Sequence, residues 1–233
     1  ERTNESSNPS YYIAVWNNEV DDWFIPTDLA SYCFNGKVTK LVKRESDGRI
    51  FACGEFTHYW SPPDSFYPPD VPPPAPPLDE LVGLAYRDGI EDTWHPVYYG
   101  VGYPYGYPIS IYATDTDLYV ISETYVHKLD FGTLTWTELA QTSKGKFVEC
   151  TYIDGKFIVV GDFGDINSDS DLRYTAYYDG TWNQMTLSWP AYPMYWWQPH
   201  PKIYGVYAVS GSEVYILGVA DADYGRPYDD GSG

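Results

Sequence analysis

One pattern recurs four times along this chain: a short aromatic or aliphatic run leads into a turn, and a tryptophan follows. Its clearest copy is Tyr174-Thr-Ala-Tyr-Tyr-Asp-Gly-Thr-Trp182. The others run from Ile13-Ala14-Val15-Trp16 to Trp23, from Leu84-Ala85-Tyr86-Arg87-Asp88-Gly89 to Trp94, and from Val126-His127-Lys128-Leu129 to Trp136. A second strand pair follows each copy after a variable loop. In three copies it ends in a hydrophobic run and a glycine, at Gly54, Gly161 and Gly218; the copy Asp117-Leu-Tyr-Val-Ile-Ser122 has serine at that place. Four short strands repeating every 40 to 50 residues or so predict the blades of a β-propeller.

The phase of the repeat sets the blade count. Residues 37–94, 108–136 and 146–182 each supply a hydrophobic pair followed by an aromatic pair, which makes three whole blades. A tryptophan pair (residues 11–25) is left at the start and a hydrophobic pair (203–220) at the end. Each half alone leaves an unpaired strand edge, which invites pairing with another chain. The expected fold is therefore all-β, a four-bladed propeller over residues 1–233 whose last blade is closed by the N-terminal and C-terminal strand pairs. Closure within one chain gives a latched disc; closure between chains gives a head-to-tail polymer. Asp47-Gly48 and Asp154-Gly155 are hairpin turn signals inside this frame.

The segment from Ser61 to Pro77, dense in proline, interrupts the frame. Proline cannot donate to a sheet ladder, so an extended insertion is expected there. It serves as a stiff surface spacer, as a docking arm for another subunit, or as a site of proline-linked glycosylation. Asn4-Glu5-Ser6 is a sequon, so Asn4 is a candidate glycan site.

The formal charge of −19 disfavours nucleic acid and anionic membranes, which both call for a basic surface. No apolar run reaches the length of a membrane span, and Glu1-Arg2-Thr3-Asn4 lacks the apolar stretch of a signal sequence. Three cysteines, Cys33, Cys53 and Cys150, leave at least one outside any disulfide; a Cys33–Cys53 bridge and buried thiols are both open readings. Histidines 58, 95, 127 and 200 have no paired spacing, so zinc or copper is not expected, and His127 reads as a packed or surface strand residue. Nucleophile-elbow and phosphate-loop signatures are absent from the sequence, and the chain reads as non-enzymatic.

Two features suggest ligands. Asp165, Asn167, Asp169 and Asp171 alternate, as oxygen ligands do in calcium loops, so calcium is the candidate cofactor. Two aromatic loops occupy the same place in their repeats. One carries Tyr98, Tyr99, Tyr103, Tyr105 and Tyr107, the other Trp189, Tyr192, Tyr195, Trp196 and Trp197. Such side chains stack on sugar rings, anchor protein interfaces, or fold down to plug the centre of a propeller.

The segments Tyr178-Asp179-Gly180-Thr181-Trp182 and Val159-Val160-Gly161-Asp162-Phe163 resemble the kelch and galactose-oxidase-like propeller repeats, with one glycine where kelch repeats have two. Similar Asp-Gly-x-Trp repeats occur in bacterial surface proteins and phage structural proteins. The resemblance implies the fold and carries over no catalytic residue. The expected role is a non-catalytic extracellular structural or adhesive protein, a surface fibre or virion component. Its partners would be other subunits or copies of itself, through the aromatic loops and the proline arm. A carbohydrate-binding propeller is the alternative, and a propeller hydrolase the weaker third.

Overall fold

The computed structural model describes residues 15–17, 22–24, 33–34, 36–57, 59–60, 83–88, 94–97, 106–185, 201–208 and 213–220. The described residues form antiparallel strands and turns, without helix. The chain falls into two compact units, Glu1–Ser122 with His127–Thr137, and Glu123–Val126 with Glu138–Gly233.

The first unit begins with β1 (Val15–Asn17), β2 (Asp22–Phe24), β3 (Cys33–Phe34), β4 (Val38–Lys43) and β5 (Ile50–Gly54). It continues through β6 (Tyr59–Trp60), β7 (Leu84–Arg87), β8 (His95–Pro96), β9 (Ser110–Ala113) and β10 (Asp117–Ile121). The division between units falls within β11 (Tyr125–Asp130) and β12 (Thr135–Gln141). The second unit holds β13 (Gly145–Ile153), β14 (Lys156–Phe163), β15 (Thr175–Tyr178), β16 (Trp182–Gln184), β17 (Pro201–Ala208) and β18 (Val214–Ala220).

Three sheets have four strands, in the orders β4-β5-β7-β8, β12-β11-β10-β9 and β13-β14-β15-β16. They coincide with the three four-strand sets that the repeat phase predicts. The pairs β1-β2, β3-β6 and β17-β18 are two-stranded sheets.

The repeat glycines have a shared purpose, which the register reveals. Gly54 lies opposite Val38, Gly161 opposite Phe147 and Gly218 opposite Ile203. At each of these places the partner strand carries one extra residue, a bulge formed by Thr39, Val148 or Tyr204. The bulge drives the partner backbone onto the glycine. A Cβ on Gly161 would lie 2.8 Å from Phe147 Cα and 3.0 Å from Val148 N, and closer still to the Lys146 carbonyl oxygen. The sheet that has Ser122 in place of glycine pairs β9 with β10 from Ser110–Ile121 to Ala113–Leu118, a register that ends one residue short of Ser122.

The turns are built by polar side chains. Asp154 and Gly155 have φ of 48° and 79° and close a two-residue hairpin between Ile153 and Lys156, as Asp-Gly predicts. The Asp47-Gly48 turn is wider: the Arg44 amide donates to the Arg49 carbonyl, and the Asp47 carboxylate accepts from the Arg44 guanidinium and the Arg49 amide. The Arg44 pair holds Asp47 down at about 2. Arg44 also lies over the Phe131 ring, 4.3 Å from its centre. Asp130 Oδ1 accepts from the amides of Gly132 and Thr133, and Asp179 Oδ1 accepts from the Asn183 side-chain amide. Asp47, Asp130 and Asp179 are therefore spent on turn geometry.

In the first unit, Phe51, Cys53 and Leu84 form one face of the first sheet and pack with Ile111, Leu118 and Val120 of the next. Its other face, Ala52 and Ala85, packs with Phe34, Phe56 and Trp94. Trp94 and Trp136 are both buried, so these two repeat tryptophans are core residues. In the second unit, Ile158 and Val160 pack with Ile203, Val206, Val214 and Ile216 of β17-β18. Cys53 and Cys150 are buried thiols outside any disulfide. Among the described residues no helix is long and apolar enough to cross a membrane.

Candidate functional site

The loop from Asp165 to Asp171 leaves β14 through Gly164, whose amide donates to the Lys144 carbonyl. Asp165 is buried, and its carboxylate is fully engaged. Oδ1 accepts from the Thr142 hydroxyl (2.9 Å) and the Ser143 amide (2.8 Å), and Oδ2 accepts from the Ser143 hydroxyl. Those bonds, the Ser143 hydroxyl first, hold its pKa below the ordinary carboxylate value. Asn167 turns the other way. Its Oδ1 accepts from the Gln141 amide at 2.9 Å, and its side-chain amide donates to the Leu139 carbonyl. The Trp182 indole N–H donates to that same carbonyl at 2.9 Å. Asp169 Oδ1 accepts from the Asp171 amide, and Asp171 is exposed.

The alternating oxygens that suggested a calcium loop are thus directed to different places. Asp165 clasps residues 142–143, and Asn167 clasps the end of β12. Among the described residues no three His, Cys, Asp or Glu side chains are grouped to hold a metal ion. The alternation arises because an Asx side chain can replace a missing strand partner. Asn167 and Ser168 reach φ of 52° and 70°, which lets the loop double back to make these bonds.

Of the aromatic contact residues, Tyr107 is described and is 50% exposed. Tyr98, Tyr99, Tyr103, Tyr105, Trp189, Tyr192, Tyr195, Trp196 and Trp197 lie outside the described residues, as do Asn4 and the proline segment. His127 is buried in β11, and burial lowers its pKa to about 4, so it is neutral at pH 7.

An aromatic surface that the repeat reading missed lies on β17-β18. Tyr204, Tyr207, Tyr215 and Leu217 are 56%, 72%, 62% and 69% exposed. Tyr207 pairs with Tyr215 across the two strands, and Leu217 lies opposite Gly205. The other face of the same strands, Val206, Val214 and Ile216, packs against Ile158 and Val160. The signal was present in the sequence. Val214-Tyr-Ile-Leu217 is apolar on both faces, and such a strand calls for cover on both sides.

No protein-family model matches the chain, and no curated protein does. Among solved structures, it is similar to the extracellular domain of a one-component system from B. thetaiotaomicron, with 8% identity and a TM-score of 0.48. The match covers 77% of this chain and 20% of that one, so this chain spans about a fifth of its length. A likeness at that level carries no functional argument.

Proposed function

We propose that this chain is a non-catalytic extracellular structural or adhesive protein, built as a four-bladed propeller and acting through contacts with other protein subunits. The observation that carries the reading is the exposed face of Tyr204, Tyr207, Tyr215 and Leu217. Large aromatic side chains gathered on one rigid sheet face are what a protein interface uses as anchors. The polar side chains support the same reading, since Asp47, Asp130, Asp165 and Asn167 are committed to holding turns and loops.

The fourth blade consists of β17-β18 as its inner pair and β1-β2 as its outer pair. Register supports this. Trp16 pairs with Trp23 as Tyr178 pairs with Trp182 in the third blade, while β17-β18 repeats the glycine and bulge of the inner pairs. The aromatic loops and the proline arm add contacts of the same kind.

A second reading, a carbohydrate-binding module, is favoured by the three tyrosines on that sheet face, because tyrosine rings stack on sugars. Sedimentation of the pure protein and a glycan array separate the two. The structural reading expects concentration-dependent assembly and no glycan hits. Glycan binding by a strictly monomeric protein, lost in Tyr207→Ser, would overturn it.

A further inference from the structure

Three Asp-Gly pairs lie wholly among the described residues, at Asp47-Gly48, Asp154-Gly155 and Asp179-Gly180. An Asp-Gly peptide can rearrange with water as its only reactant. The glycine nitrogen attacks the aspartate Cγ, and the new N–Cγ bond closes a five-membered succinimide. The carboxyl hydroxyl leaves with the amide proton as water. A second water then adds to one ring carbonyl and breaks its bond to nitrogen. When the bond broken is the original main-chain amide, glycine stays attached through Cγ and the residue becomes isoaspartate. Ring closure needs two free groups, a carboxyl that can take up a proton to become the electrophile and a glycine amide to attack it. Glycine favours the step because it brings no side chain into the ring's path.

The three pairs differ in how those groups are held. At Asp47-Gly48 both are engaged. The carboxylate accepts from the Arg44 guanidinium and the Arg49 amide, and the Gly48 amide donates to the Arg44 carbonyl at 2.9 Å. With the Arg44 pair holding Asp47 at about 2, its carboxyl is protonated roughly a hundredfold less often at about pH 5 than an ordinary aspartate. At Asp179-Gly180 one group is engaged, since Asp179 Oδ1 accepts from the Asn183 side-chain amide at 3.1 Å. At Asp154-Gly155 neither group has a partner among the described residues. Both residues are exposed at the tip of the β13-β14 hairpin. Closure also needs the peptide between them to rotate until its nitrogen faces Cγ, and Gly155 has nothing within 4 Å of a Cβ position to obstruct it.

We infer that Asp154-Gly155 is the site of isoaspartate formation among these pairs, with Asp179-Gly180 slower and Asp47-Gly48 protected by its clasp. The inference is independent of the role proposed above. The product adds one main-chain carbon between Ile153 and Lys156. A two-residue turn with both residues left-handed has no place for it, so the change reaches the register of β13 and β14.

The test ages the full-length chain for several weeks at about pH 5, where an ordinary aspartate is protonated part of the time. A second sample is aged in urea concentrated enough to unfold it. Both are digested, and isoaspartate is counted in each of the three peptides by mass spectrometry and by enzymatic methyl transfer to the isoaspartyl carboxylate. In urea the three pairs should convert at comparable rates, because only the sequence acts. In the folded chain Asp154 should lead Asp179, and Asp47 should trail Asp154 by about tenfold or more. An intact Asp154 when the urea sample has converted overturns the inference. So does a folded chain in which Asp47 or Asp179 keeps pace with Asp154. Arg44→Gln releases the Asp47 carboxylate and should raise conversion at Asp47 by about tenfold while leaving Asp154 unchanged. An unchanged Asp47 rate, in a variant that still melts cooperatively, overturns the protection assigned to the clasp. If that variant does not fold, the order of rates in the parent chain decides.

Discussion

Replacing Gly161 by alanine tests the link between repeat glycine and bulge. The added methyl would press on the Lys146 carbonyl oxygen, Phe147 Cα and Val148 N, which are all backbone atoms of the bulged strand. No side chain can swing aside to make room. The two strands must separate by about 1 Å, which weakens one or two ladder hydrogen bonds at about 1 kcal/mol each. Overpacking adds about 1 to 3 kcal/mol. The sum is about 3 kcal/mol, or a melting temperature about 10 °C lower for a chain of this size. Two controls isolate the cause. Gly155 has φ of 79° and nothing within 4 Å of a Cβ, so Gly155→Ala carries only the left-handed penalty of about 1 to 2 kcal/mol. Gly205 has nothing within 4 Å, and Gly205→Ala should stay within about 0.5 kcal/mol of the parent. Urea unfolding followed by tryptophan fluorescence reads all three. A Gly161→Ala variant as stable as Gly205→Ala would refute the reasoning.

Asp165→Ala removes the acceptor of three hydrogen bonds at a buried position; a loss of about 3 kcal/mol is expected in urea unfolding. With those oxygens so engaged, millimolar Ca²⁺ should leave the melting temperature of the parent unchanged relative to chelator, and a clear rise would show that the loop reopens around a cation. His127 has a folded pKa of about 4 against an ordinary 6.5, so the unfolded chain takes up its proton first as pH falls. Stability should therefore drop by about 2 kcal/mol between pH 6.5 and 4. His127→Gln should flatten that limb, and an unchanged slope would assign it to other groups.

The four-stranded sheets were legible because their two signals, the run ending in glycine and the run ending in tryptophan, each describe a strand pair. The bulge was not, because period alone cannot show that Thr39, Val148 and Tyr204 are extra residues in their ladders. The alternation in the Asp165–Asp171 loop has two physical readings. Alternating Asx residues supply the same oxygens to backbone amides and to a cation, and spacing does not say which. The face of Tyr204, Tyr207, Tyr215 and Leu217 lies on strands rather than loops, and its signal in the sequence is that β18 is apolar on both sides. For His127 the sequence left packed and surface placements both open, and it is buried in β11.

The central claim is that β18 is an inner strand of a blade rather than a free edge. Residue-resolved hydrogen exchange on the full-length protein, at concentrations where it assembles, tests this most directly. In a lone antiparallel pair only alternate amides of β18 bond to β17, and the others point outward. The account predicts protection of consecutive amides from Val214 to Leu217, with the outward ones slowed by about a hundredfold or more. Outward amides that exchange at the rate of a free chain, while their neighbours stay protected, would contradict it.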